Sequence, residues 1–283
     1  MPLDFTTTRI YRYARRPVFS WLPTLAALAL TLSVPRTVDS APGIALVPHV
    51  ARYSLSRNFA DPDSGVAAIK GMMEVRLEIS CDGYKVDQYL GFNVLGEDES
   101  QFEHLAYLSS FEDKPGREFY FEARTFENRR LTEDLAGKVR IEDSGEGEIR
   151  YARPETVTEP LPGNTVFPIK HLELIIGAAL KGEKSVRHTV FDGSTRENPF
   201  EISTFIGAAS DGESKNIEFL SGSTFWPVRL AYFKVGSVSP APEFEMSAEV
   251  FENGVIGNMI YDYGNFAIDV TLEEVEALKK PEC

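Results

Sequence analysis

The chain has 283 residues, with 43 Asp or Glu against 29 Lys or Arg, a formal charge of −14. A surface that acidic repels nucleic acid and anionic lipid headgroups at long range. Basic residues form no run longer than the pair Lys279-Lys280, so nucleic acid is excluded as a partner.

The first 40 residues read as a signal peptide. Arg9, Arg12, Arg15 and Arg16 make a basic start, Leu22 to Val34 is an apolar stretch, and Val38-Asp39-Ser40 offers short residues for cleavage after Ser40. The apolar run falls short of the roughly 20 residues a membrane span needs, so no transmembrane segment is expected after cleavage. Residues 41–283 are then expected to form a single periplasmic β domain. Removing five Arg and two Asp with residues 1–40 takes the charge from −14 to −17. The two cysteines, Cys81 and Cys283, suit an oxidising compartment. They are read either as a bonded pair or as two separate thiols.

In chain order, Ala51, Tyr53 and Leu55 alternate with Arg52 and Ser54 in a first strand. Gly71 to Val94 predicts a long hairpin turning at Asp82-Gly83, with Met73, Val75, Leu77, Ile79 and Cys81 on its buried parity. Further strands are predicted over Gln101 to Phe111 and around Phe119, Phe121 and Ala123, with shorter ones near Val139 and Ile149. The proline-rich run from Arg153 to Thr165 reads as a connection to one internal helix, His171 to Leu180, stopped by Gly182. Strands resume at Ser185 and Pro199, and Ser210 to Lys215 is expected to be a mobile loop. Val228, Leu230 and Tyr232, then Phe244, Met246, Ala248 and Val250, alternate again. Asn253-Gly254 marks a hairpin, and Thr271-Leu272-Glu273-Glu274 resembles a capping box, predicting a short C-terminal helix to Leu278. Strands every 8 to 15 residues predict an all-β antiparallel meander.

Catalytic signatures are missing. Gly177 to Ser185 has the glycines of a phosphate loop, but Glu183 stands between Gly182 and Lys184 and breaks the required Gly-Lys pair. No G-x-S-x-G elbow occurs. His49, His104, His171 and His188 are too dispersed for a zinc site, so no metal or cofactor is expected. The 19 Phe and 11 Tyr lie mostly on predicted strands. They read as an ordinary β core or as the lining of a concave sheet for an apolar ligand. Phe119, Phe121, Trp226, Tyr232 and Phe244 are the candidate lining residues.

Several stretches together carry a resemblance: LVPHVARYSL, the Cys81-Asp82-Gly83-Tyr84 turn, FEDKPGREFYF, RYARP, LPGNTVFPIKH, VFDGS, WPVRLAYF, ENGV, YDYGNFAI and the terminal Cys283. In this order they resemble the EipB-like envelope-integrity family of periplasmic proteins. The resemblance implies a spiral or open barrel of antiparallel strands, and a disulfide that falls on Cys81 and Cys283. One departure is Asn164 before Thr165, where Gly-Thr is expected. The expected function is non-enzymatic support of the cell envelope, through a lipid or other apolar ligand or a periplasmic protein partner. The alternative is a hydrolase or modifying enzyme of envelope polymers.

Overall fold

The computed structural model describes residues 44–211 and 217–283. The signal peptide read over 1–40 lies outside them, as do residues 212–215 of the expected mobile loop. The first half holds β1 (His49–Ala60), β2 (Val66–Ile79), β3 (Gly83–Gly96), β4 (Gln101–Asp113), β5 (Glu118–Glu127), β6 (Arg130–Ile141), β7 (Gly147–Arg153) and β8 (Val157–Leu161). The second holds β9 (Thr165–Val166), the helix α1 (Pro168–Leu180), β10 (Ser185–Val190), β11 (Phe200–Ile206), β12 (Ser210–Asp211), β13 (Thr224–Lys234), β14 (Phe244–Phe251), β15 (Ile256–Asp262) and β16 (Phe266–Ala277).

All strands join one sheet in the order β8-β7-β6-β5-β4-β3-β2-β1-β16-β15-β14-β13-β11-β10-β9, with β12 beside β13. Neighbours are antiparallel except the short parallel pair β9–β10. The two ends of this path, β8 and β9, are consecutive in the chain, joined only by Pro162, Gly163 and Asn164. Such a link spans at most about 14 Å. The sheet therefore has to roll until its edges nearly meet, which makes it an open barrel. Asn164 takes a left-handed φ of 61°, a conformation Asn tolerates better than most residues other than glycine. The departure at this position thus keeps the turn that glycine would make.

Side chains, rather than a strand ladder, draw the two edges together. Phe119 and Phe121 of β5, with Tyr151 of β7, meet Phe167 and Phe191 from the far end of the sheet in one buried cluster. Phe119 stacks on Phe167 at 4.9 Å and meets Phe191 edge-on at 6.0 Å. Gly193 lies directly over Phe121: a Cβ there would stand 2.6 Å from the Phe121 Cβ, and its φ is +70°. The guanidinium of Arg196 sits 3.8 Å above the Tyr151 ring, and its Nη2 donates to Glu159 of β8 at 2.5 Å. Three stretches that carry the family resemblance, FEDKPGREFYF, LPGNTVFPIKH and VFDGS, converge on this seam.

The larger core joins β1, β2, β11 and β13–β16 to one side of α1, through Ala51, Tyr53, Met73, Ile175, Ile176 and Val228 among others. The helix begins at Pro168, three residues before the predicted His171, because Pro suits a first helical position. Its C-terminus closes with Gly182 N–H donating to Ala179 O and Glu183 N–H to Ala178 O, the paired bonds of a Schellman motif. At the other end the cap comes from another element. Glu112 of β4, 3% exposed, accepts hydrogen bonds from Ile169 N (2.8 Å) and Lys170 N (2.9 Å).

Burial pushes the Glu112 carboxyl up to about 7, against the opposing pull of those two N–H groups. Between the ordinary value of 4.5 and about 7 the folded state holds a proton that the unfolded chain has released. The contribution of this group to stability is thus full below 4.5 and is lost as pH rises through about 7. Glu112→Gln should remove that slope. The unfolding free energy from urea titration should fall by more between pH 5 and pH 8 in the wild type than in the variant, by on the order of 3 kcal/mol at most; parallel changes would refute the assignment.

Three expectations are corrected. No C-terminal helix forms: Thr271-Leu272-Glu273-Glu274 belongs to β16. Arg52 pairs with Glu274 and Tyr53 with Leu272, so Glu273 is the extra residue of a β-bulge. Glu273 and Glu274 both point outward, where Ser54 Oγ and Arg52 Nη1 donate to them. That breaks the alternation and imitates a capping box. The β2–β3 turn is centred on Cys81-Asp82, one residue early, since Ser80 N–H donates to Gly83 O. Gly83 serves close approach instead, for a Cβ there would lie 2.3 Å from Glu112 O. Cys81 is exposed at the tip rather than buried. Its Sγ lies 2.09 Å from that of Cys283, with Cα atoms 5.6 Å apart.

Candidate functional site

The strands bring their inward parity around a space of about 690 Å³, within the range of small-molecule sites. Its walls come from β1–β6 and β13–β15, its floor from Ile169, His171, Leu172 and Ile175 of α1, and one side from residues 192–195 of the β10–β11 loop. The lining is apolar and rich in methionine, with Met73, Met246 and Met259 among the aliphatic side chains. Thioether side chains adapt to irregular apolar shapes, which suits a flexible occupant.

Tyr232 and Phe244 line this cavity. They are cross-strand partners on β13 and β14 and stack at 4.1 Å and 16°. The row continues through Tyr263, 6.4 Å from Phe244 and 46% exposed, to Phe266 at 5.0 Å. Four stacked rings thus run from the interior to the rim.

Phe119, Phe121 and Trp226, the other predicted lining residues, do not face the cavity. The two phenylalanines are covered by Phe167 and Phe191 in the seam cluster. Trp226 is 5% exposed, opposite Val250, and packs in the larger core with Ile175 and Ile176 of the helix. Along β13 the inward residues therefore pass from core at Trp226 to cavity at Tyr232. Parity tells which face a residue takes, but not whether a distant segment covers it.

Sequence reasoning passed over Tyr261, whose ring lines the cavity and whose hydroxyl has only sulfur neighbours, Met73 Sδ and Met259 Sδ, each at 3.9 Å. Gln88 Nε2 also turns to Met73 Sδ, at 3.8 Å. In the sequence Gln88 is a polar residue in line with the apolar Tyr84, Val86, Leu90, Phe92 and Val94 of β3. Tyr53, by contrast, donates to Ile256 O at 2.8 Å. Burial raises the hydroxyl pKa of Tyr53, Tyr232 and Tyr261, so all three are protonated donors at neutral pH. Burial lowers the three lining histidines: His49, His104 and, to about 3 with the help of neighbouring His188, His171. Two carboxylates, Glu133 and Asp192, also line the space. Burial pushes Glu133 upward, opposed by the Arg196 N–H it accepts.

A second depression, about 770 Å³, lies on the outer face of β2–β5 around Tyr89, Tyr107 and Phe126. Arginines on its rim are already paired, Arg76 with Glu78 and Arg124 with Glu122. The interior space leaves polar groups without such partners and is the better candidate site. Among the described residues, no group of three or more His, Cys, Asp or Glu side chains could hold a metal ion, and no helix is long and apolar enough to cross a membrane.

Fold and cavity together define a barrel-like β protein with a hollow, apolar interior. The chain belongs to the EipB-like family, which residues 40–279 match. It is 30% identical over 236 residues to the cell envelope integrity protein EipB of Brucella abortus (strain 2308), covering 81% of this chain and 84% of that one. Its fold is similar to the crystal structure of a beta-barrel-like protein of a domain of unknown function from Brucella abortus. The TM-score is 0.78 at 28% identity, over 83% of this chain and 100% of the other.

Proposed function

We propose that the protein supports cell-envelope integrity from the periplasm, without catalysis, by holding an apolar ligand inside its barrel. The envelope role rests on the relative of that name and on membership of its family. The binding role rests on one observation, the concave space of about 690 Å³ inside the rolled sheet, with its methionine and tyrosine lining. An envelope-polymer hydrolase needs carboxylates converging on a polar cleft that admits a hydrated chain. The predominantly aliphatic and aromatic wall favours transfer of apolar surface out of water, at roughly 0.8 kcal/mol per buried CH₂.

The test is a neutral apolar fluorophore, N-phenyl-naphthylamine, added to the folded, oxidised protein. Its emission should rise with saturation near one equivalent. Ala106 faces the cavity from β4, between Leu90 and Thr125 on the adjoining strands. Ala106→Trp should fill the space and abolish the signal while leaving the unfolding free energy in urea within about 1 kcal/mol of the wild type. A signal that survives in a folded Ala106→Trp protein places the probe elsewhere and defeats this reading.

A further inference from the structure

The cavity wall is unequal in its polar chemistry. Its acidic groups, Glu133 and Asp192, take part in no ion pair among the described residues, and no Lys or Arg lines the space. Each carboxylate is held by backbone donors, Glu133 by Arg196 N at 2.9 Å and Asp192 by Ser194 N at 2.8 Å. The guanidinium of Arg196 is turned away, over Tyr151 and onto Glu159. With the lining histidines neutral, an anion inside would meet negative charge and no cation. Elsewhere in the wall the imbalance is of another kind. The Tyr232 hydroxyl makes no hydrogen bond among the described residues, and Tyr261 and Gln88 have only thioether neighbours. Three donors thus face the space without an oxygen partner among the described residues, and a ligand oxygen could supply one.

We infer that the cavity selects an amphiphile with an uncharged or cationic head and an oxygen acceptor in its body, an acyl ester or amide carbonyl, and rejects carboxylate- and phosphate-headed lipids. The inference rests on the proposed ligand-binding role and adds the ligand's class. Glu133, Asp192 and the nearby Ser194 and Thr195 would receive the head's hydroxyl or ammonium hydrogens. Tyr232, Tyr261 and Gln88 would donate to the carbonyl, while the chain lies among Met73, Met246 and Met259. Local carboxylates inside a cavity are screened by salt much less than the overall charge of the surface, and this separates the two sources of selectivity.

Three probes of one chain length distinguish the parts, each displacing N-phenyl-naphthylamine at pH 8: a monoacylglycerol, the matching fatty acid and a vicinal alkanediol without a carbonyl. The monoacylglycerol should bind at least about tenfold tighter than the fatty acid, a difference of about 1.4 kcal/mol. That gap should persist in about 0.5 M salt, where surface charges no longer act at a distance. The double variant Glu133→Gln/Asp192→Asn keeps a side-chain oxygen to accept from the Arg196 and Ser194 N–H groups and should close most of it. Tyr232→Phe/Tyr261→Phe should weaken the monoacylglycerol about five- to tenfold and leave the alkanediol unchanged. Fatty acid bound as tightly as the ester, or a gap erased by salt alone, overturns the head-group assignment. Equal losses for ester and diol overturn the carbonyl assignment. Probe binding without discrimination defeats only this inference; no binding by any probe defeats the cavity reading with it.

Discussion

Cys81→Ser should lower the unfolding free energy by up to about 5 kcal/mol, and Cys283→Ser by the same amount. The bond closes a loop with a sequence separation of 202, and on the chain-entropy model that constraint on the unfolded chain is worth about 5 kcal/mol. Strand order explains how so distant a pair meets. β1 lies between β2 and β16, and His49 at its start is opposite both Leu77 and Ala277. The ends of β2 and β16 are therefore two strand spacings apart, about 10 Å. The tail after β16 is anchored where Leu278 N donates to Pro48 O at 2.9 Å, and it crosses the start of β1 to reach Cys81. Urea unfolding without reductant gives the values, and thiol titration of the denatured wild type should find no free cysteine. Clearly unequal losses in the two variants would mean that each cysteine also acts alone.

Phe119→Ala should cost about 3–5 kcal/mol, the range for deleting a well-packed aromatic side chain. Phe119 is 1% exposed and touches the rings of Phe121, Phe167 and Phe191, which belong to three separate parts of the chain. Removing it leaves a hole in the seam where no strand ladder is available to hold the edges. Phe244→Ala should cost clearly less, because one face of Phe244 already borders empty space and only Tyr232 stacks on it closely. Chemical denaturation of both variants compares them directly. A Phe244 loss equal to or above that of Phe119 would reverse the roles assigned to seam and cavity.

The strands were legible in the sequence because period-two alternation follows from sheet geometry alone: Met73 and Leu77 inward, Glu74 and Arg76 outward. The helix α1 was legible from its apolar density. What alternation cannot carry is contact made by remote segments. Phe119, Phe121, Trp226, Tyr232 and Phe244 all have strand character, yet Phe167, Phe191 and the helix decide which of them are covered. Glu273 misled for a local reason, since a bulge lets two consecutive carboxylates face outward and so breaks the alternation that marks a strand. Glu112 could not be found from pattern at all. Its role depends on Ile169 and Lys170, 57 and 58 residues away. Gln88 did leave a trace, as a polar residue on an apolar parity.

The rolled sheet also bears on how this chain behaves beside other copies of itself. A sheet of many strands ordinarily ends in two rows of unpaired backbone groups, which are templates for edge-to-edge aggregation. Here one terminal strand, β9, is two residues long, and the other, β8, has Pro160 within its five. Proline offers no N–H to an incoming strand. The three-residue link between them brings both edges to one place, where Arg196 reaches Glu159 on β8. Between β9 and the start of β10 the exposed stretch lies beside α1, which packs against β10. A β protein of this size thus presents little free edge for a neighbour's strand to extend, without having to complete a hydrogen-bonded barrel.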